Sequence, residues 1–93
     1  MPRIPVKEAI HRAKNFVRET FGEEGIVNLG LEEVRFDERE GNWEITLGFS
    51  RPWDDESSII PSLSRQYRRA FKVVTLDGTT GEPIAITQRD VAA

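Results

Sequence analysis

His11 is the single histidine of a 93-residue chain that contains no cysteine. Zinc sites draw three or four ligands from His, Cys and carboxylates, and one His with no Cys is a poor start on such a set. The lack of Cys also removes disulfides, thiolate catalysis and iron–sulfur ligation. Carboxylates are plentiful, with Glu32, Glu33, Asp37, Glu38 and Glu40 close together in sequence. Calcium loops space their ligands as D-x-D-x-D-G. Asp37-Glu38-Arg39-Glu40-Gly41-Asn42 does not follow that pattern and reads as a polar turn. Gly78-Thr79-Thr80-Gly81 lacks the Gly-Lys-Ser/Thr of a phosphate-binding loop. Ser57, Ser58, Ser62 and Ser64 sit in no G-x-S-x-G context. The residues therefore predict no catalytic site, no metal and no cofactor.

Binding chemistry is better represented. Arg51-Pro52-Trp53 precedes the acids Asp54, Asp55 and Glu56, and the apolar pair Ile59-Ile60 follows. Trp and Arg are the residue types most enriched where interfaces concentrate their energy. Arg51, Trp53, Asp54, Asp55, Glu56, Ile59 and Ile60 are thus the expected partner-binding set, unless Trp53 folds back to cover its own core. A second surface is basic. Lys7, His11, Lys14 and Arg18 recur at helical spacing, and Arg65, Arg68, Arg69 and Lys72 flank Tyr67 and Phe71. Bases interleaved with aromatics suit phosphate contact and base stacking. The competing reading is a solvated helix flank and a strand whose bases pair with acids on its neighbour, such as Glu44.

Charge weighs against nucleic acid. The net charge is -3, and a general nucleic-acid binder presents a net basic field. The bases gather at the N-terminus (Arg3, Lys7, Arg12, Lys14, Arg18), and the acids gather between Glu19 and Glu44. No apolar run approaches the ~20 residues of a membrane span. Met1-Pro2-Arg3-Ile4-Pro5 carries no apolar signal region, so a cytoplasmic location away from membranes is expected.

The elements that must position these residues follow from periodicity. Val6, Ala9, Ile10, Ala13, Phe16, Val17 and Phe21 fall at helical spacing. They predict a helix over 5–21, with Pro5 at its first position and Gly22 as its stop. Glu8 is placed to pair with Arg12 one turn on. In residues 26–37, Val27, Leu29 and Leu31 alternate, then Val34 and Phe36 alternate in the opposite phase. A β-bulge at Glu32-Glu33 would return both sets to one face; a turn into a new strand is the alternative. Trp43, Ile45, Leu47 and Phe49 give strict alternation over 43–50. Strand character resumes at 66–77 and 83–88 around a turn at Asp77–Pro83. The connection 51–64 has no strand pattern and is expected to be the most mobile part of the free protein. One amphipathic helix and one sheet with an apolar face bury both when the helix lies across the sheet. The expected fold is a single α+β domain over 1–93, with an N-terminal helix packed across a three- to four-stranded antiparallel sheet.

Read in order, the helix with Ala9-Ile10 and Ala13, the Trp43-led strand, and Phe71-Lys72-Val73-Val74-Thr75-Leu76-Asp77-Gly78-Thr79-Thr80-Gly81-Glu82-Pro83-Ile84 resemble PepSY-like domains. Their last hairpin runs apolar strand, Asp, Thr-Gly-Glu, apolar strand. The chain is also similar to small bacterial immunity proteins of the same shape. The resemblance implies binding or inhibition of a larger protein partner, without catalysis. A nucleic-acid accessory role on the basic aromatic strand is the alternative.

Overall fold

The computed structural model describes residues 3–51 and 69–89. Helix α1 spans Val6–Phe21. It is followed by strands β1 (Val27–Asp37), β2 (Asn42–Ser50), β3 (Ala70–Asp77) and β4 (Pro83–Gln88). The strands form one antiparallel meander in the order β1-β2-β3-β4, and α1 packs across it. This is the α+β architecture that the periodicity predicts.

The apolar stripe of α1 meets the alternating face of β2. Ala9, Ala13 and Val17 are fully buried, as are Ile45, Leu47, Phe49, Val74 and Leu76. Small residues along the helix stripe let its backbone approach the sheet, and the large side chains come from β2 and β3. Ile10 and Trp43, both expected in this core, pack on its margin and stay half-buried. The Trp43 indole N–H donates to the Ile4 carbonyl at 3.2 Å, and its ring meets Phe36 edge-on at 5.2 Å. At the other end of β2, Phe49 stacks on Phe21 at 5.4 Å. These two contacts, one at each end, show that α1 runs parallel to β2, and therefore parallel to β4.

Two boundary expectations are corrected. Pro5 is the cap rather than the first helical residue: its extended ψ of 162° starts the helix at Val6. Its carbonyl accepts the first helical bond, from the Ala9 N–H at 3.0 Å. Gly22 does not stop the chain's helical run. It stays right-handed, and a 3-10 turn continues over Gly22–Glu24. Gly25 is the left-handed residue at φ 68°, with its N–H bonded to the Gly22 carbonyl.

The phase change in β1 is a bulge. Leu31 lies opposite Leu47 and Glu33 opposite Thr46, so Glu32 is the extra residue. Val34 and Phe36 then face the helix opposite Ile45 and Trp43. A second bulge was not legible. Val27 opposes Ser50 and Gly30 opposes Gly48, so β1 carries one more extra residue near Asn28, which has φ 59°. This bulge separates Val27 from the Leu29 set. Leu29 packs on the core, whereas Val27 is 51% exposed.

Both hairpins at one end use the same turn. Asp37 and Asp77 each begin a five-residue segment that closes on a glycine, Gly41 or Gly81, in the left-handed region at φ 72° and 78°. The Asp37 carboxylate accepts the N–H groups of Arg39 and Glu40. That of Asp77 accepts those of Thr79 and Thr80 at 2.7 and 3.0 Å. The turns touch. The Gly78 N–H donates to the Gly41 carbonyl at 2.9 Å, and the Gly78 carbonyl accepts the N–H groups of Arg3 and Ile4.

Candidate functional site

Of the expected partner-binding set, only Arg51 falls among the described residues; Trp53, Asp54, Asp55, Glu56, Ile59 and Ile60 lie outside them, as do Arg65, Tyr67 and Arg68. Arg51 is half-buried. Its guanidinium sits 3.4 Å from the Glu24 carboxylate and 5.8 Å from the centre of the Phe49 ring. It thereby ties the end of β2 to the 3-10 turn.

The sheet face opposite α1 gathers charged groups that sequence alone had scattered. Among the described residues no helix or strand lies over it. Its rows follow from the register: Glu33, Thr46, Val73 and Thr87 form one row, and Gly30, Gly48 and Phe71 form the next. Two ion pairs cross these rows. Arg69 reaches Glu32 at 3.6 Å, and Arg89, just past β4, reaches Glu33 at 3.0 Å. The second pair joins the two outer strands. Three inter-strand steps of ~4.8 Å put their backbones ~14 Å apart in a flat sheet, a span that Arg and Glu barely cover even at full stretch. The pair therefore spans the sheet beside the row that holds Thr46, which is buried at 4% exposure. The bulge explains the adjacent carboxylates. An extra residue in β1 places Glu32 and Glu33 side by side on the same face, and each takes one arginine.

Gly48 is the floor of this arrangement. A Cβ there would lie 2.9 Å from the Arg69 guanidinium, 3.0 Å from the Phe71 ring and 3.1 Å from the Glu32 carboxylate. Its partner Gly30 would bring a Cβ within 3.9 Å of the same guanidinium. The paired glycines form a slot in which the guanidinium lies against the sheet. Glycine inside a strand signals a close approach of this kind. That signal was present at Gly48, but the sequence did not say what approaches.

The interleaved run around Phe71 is divided by the pleat. Arg69 and Phe71 belong to the open face. Lys72 belongs to the helix side, with its ammonium 5.5 Å from the Phe21 ring and 3.4 Å from Gln88. Glu44 pairs with Arg35 on β1 at 3.9 Å, rather than with a base of β3. On α1, Glu8 and Arg12 pair at 2.8 Å as their spacing predicts. Lys7, His11 and Arg18 are exposed and Lys14 is half-buried. His11, Asn15 and Arg18 are joined by hydrogen bonds of 3.3 Å. Arg18 also borders a cleft of about 330 Å³ with Gly22, Ile26, Val27, Asn28 and Leu29.

Among the described residues Asp77 is the one group whose acidity is clearly displaced. The N–H groups of Thr80 and Thr79 hold its carboxyl below the ordinary aspartate value of 3.8. Its task is therefore to fold a turn. Among the described residues no group of three or more His, Asp or Glu side chains is placed to hold a metal ion, and no helix is long and apolar enough to cross a membrane. The chain matches no family model, no curated protein and no solved structure.

Proposed function

We propose that this chain is a small non-catalytic protein-binding module of the immunity, antitoxin or inhibitor type, working in the cytoplasm. The reading rests on the sheet face opposite α1. Phe71 and Val73 share that face with two arginines already held by Glu32 and Glu33. Arg and aromatic side chains dominate interface hot spots, and side chains fixed before binding lose less entropy when a partner docks. The resemblance of Asp77–Ile84 to the last hairpin of PepSY-like domains points to the same class. Arg51, at the end of β2, belongs to the same interaction reading, together with Trp53, Asp54, Asp55, Glu56, Ile59 and Ile60.

The test is calorimetry with the purified protein that co-purifies from the native cell. Phe71→Ala should weaken that complex by ~2 kcal/mol, as truncation of a buried anchor does, while circular dichroism stays native. Unchanged affinity would remove this face from the reading. The nucleic-acid alternative draws on the exposed Lys7, His11 and Arg18 and the half-buried Lys14, because Arg69 and Arg89 are already paired with carboxylates. It requires oligonucleotide binding that weakens steeply with salt. No binding to single-stranded or duplex oligonucleotides at low salt would exclude it.

A further inference from the structure

Asp77-Gly78 is the one Asp-Gly pair of the chain. That dipeptide is open to a backbone rearrangement, because glycine has no Cβ to screen its nitrogen. The Gly78 nitrogen attacks the side-chain carboxyl carbon of Asp77. An N–Cγ bond forms, the carboxyl C–OH bond breaks, and the amide proton leaves with that oxygen as water. Water then reopens the five-membered imide. Attack at the former side-chain carbonyl restores aspartate. Attack at the main-chain carbonyl leaves isoaspartate, with the main chain running through Cβ and Cγ.

The fold holds both reacting groups away from this step. The Gly78 N–H donates to the Gly41 carbonyl at 2.9 Å, and Gly78 is buried. Solvent base reaches that proton only when the two turns part. The Asp77 carboxylate accepts the Thr79 and Thr80 N–H groups. They hold it ionised, whereas the oxygen leaves as water only from the neutral carboxyl. Glycine is required at 78 all the same, since a Cβ there would strike the Gly41 carbonyl oxygen. The residue that lets the turns touch thus creates the reactive pair, and the touch shields it. The other turn lacks the shield. Asp37 accepts the same two bonds, from Arg39 and Glu40. The residue after it, Glu38, is exposed, and its N–H has no hydrogen-bond partner among the described residues.

We infer that Asp77-Gly78 is an isoaspartate-forming modification site that the fold keeps closed: the product arises in molecules whose two turns have parted, and it bars those molecules from closing again. An isoaspartyl link lengthens the main chain by one atom inside a five-residue turn. It moves the free carboxylate back to the α-carbon, away from the Thr79 and Thr80 N–H groups. It also displaces Gly78, whose N–H and carbonyl together hold Gly41, Arg3 and Ile4. The reaction needs only water, and it marks permanently a chain that has opened at this end of the sheet.

Labelling in heavy-oxygen water tests this, because each imide that reopens takes one oxygen from solvent. Trypsin releases Val73–Arg89 and Phe36–Arg39, each with a single aspartate, and mass spectrometry reads the label at Asp77 and Asp37. The wild-type chain should label at Asp77 at least ~10-fold more slowly when folded than in guanidinium chloride at the same pH, since reaction waits on an opening that breaks hydrogen bonds. Glu38→Gly writes the same pair into the unshielded turn. In the folded variant Asp37 should label at least ~10-fold faster than Asp77 for the same reason, and in guanidinium chloride the two should label alike. Wild-type chains aged in guanidinium chloride and then diluted should carry isoaspartate at 77 only in the fraction that fails to regain native circular dichroism. Equal rates at Asp77 in folded and unfolded wild type, or at Asp37 and Asp77 in the folded variant, overturn the shielding. Isoaspartyl chains that refold with the native melting temperature overturn the bar to closing.

Discussion

Replacing glycine by alanine at position 78 and at position 48 makes the same chemical change in two surroundings, and the structure predicts opposite outcomes. At Gly78 the new Cβ would sit 2.3 Å from the Gly41 carbonyl oxygen, 3.0 Å from the Phe36 ring and 3.3 Å from the Gly41 carbonyl carbon. The nearest obstacle is backbone, held by the hydrogen bond that Gly78 itself donates. Relief requires the two turns to separate by most of an ångström. That movement loosens the Gly78–Gly41 bond and the two bonds that anchor Arg3 and Ile4. At ~1 kcal/mol for each bond, Gly78→Ala should cost ~2–4 kcal/mol. A domain of this size loses ~4–8 °C per kcal/mol, so the melting temperature should fall by ~10–30 °C. At Gly48 the nearest atom is the far end of the Arg69 side chain, which can swing out. The loss is a part-exposed ion pair worth ~0–1 kcal/mol, offset by the ~0.5–1 kcal/mol that alanine gains over glycine inside a strand. Gly48→Ala should therefore lie within ~1 kcal/mol of wild type while releasing Arg69 from Glu32. Urea and thermal unfolding followed by far-ultraviolet circular dichroism measure both variants. Equal stability for the two, or a greater loss at position 48, would refute the account of both sites.

Leu47→Ala removes a fully buried side chain from the central strand and should cost ~2–5 kcal/mol in urea unfolding, whereas Val27→Ser, at a position the bulge at Asn28 turns to solvent, should stay within ~0.5 kcal/mol. Asp77 is more acidic in the folded chain than in the unfolded one, so the stability it contributes is present above the unfolded value and is lost as pH falls through the lower folded value. Asp77→Asn should accordingly be less stable than wild type at pH 6, and the gap should close as pH drops below 3.8, measured as urea midpoints across an acid series. Arg89→Gln should leave the helix-side core untouched but raise amide exchange at Thr46 and Val73, read by hydrogen-exchange NMR, because it removes the bridge to Glu33 over that row.

The sequence by itself determined the helix, its buried stripe, the strand 43–50 and the closing hairpin, because each is a local periodicity bounded by proline, glycine or aspartate. It also located the bulge at Glu32-Glu33, since a phase change between apolar sets leaves few other solutions. It missed the bulge at Asn28, where the apolar alternation runs on without a break and only the pairing with β2 shows that Val27 has changed sides. The ion pairs of the open face were beyond its reach for a related reason. Glu32 and Glu33 lie far along the chain from Arg69 and Arg89, and nothing in a run of charges says which acid a distant base will meet. Sheet order and register decided that, by setting Gly48 between Glu32 and Arg69 and by bringing Arg89 to the face that carries Glu33. The edges show the same division. That β4 is uncharged could be read from its residues, but that it lies at the margin of the sheet, with Ile84 as an extra residue opposite Thr75 and Leu76, follows only from the ladder it shares with β3.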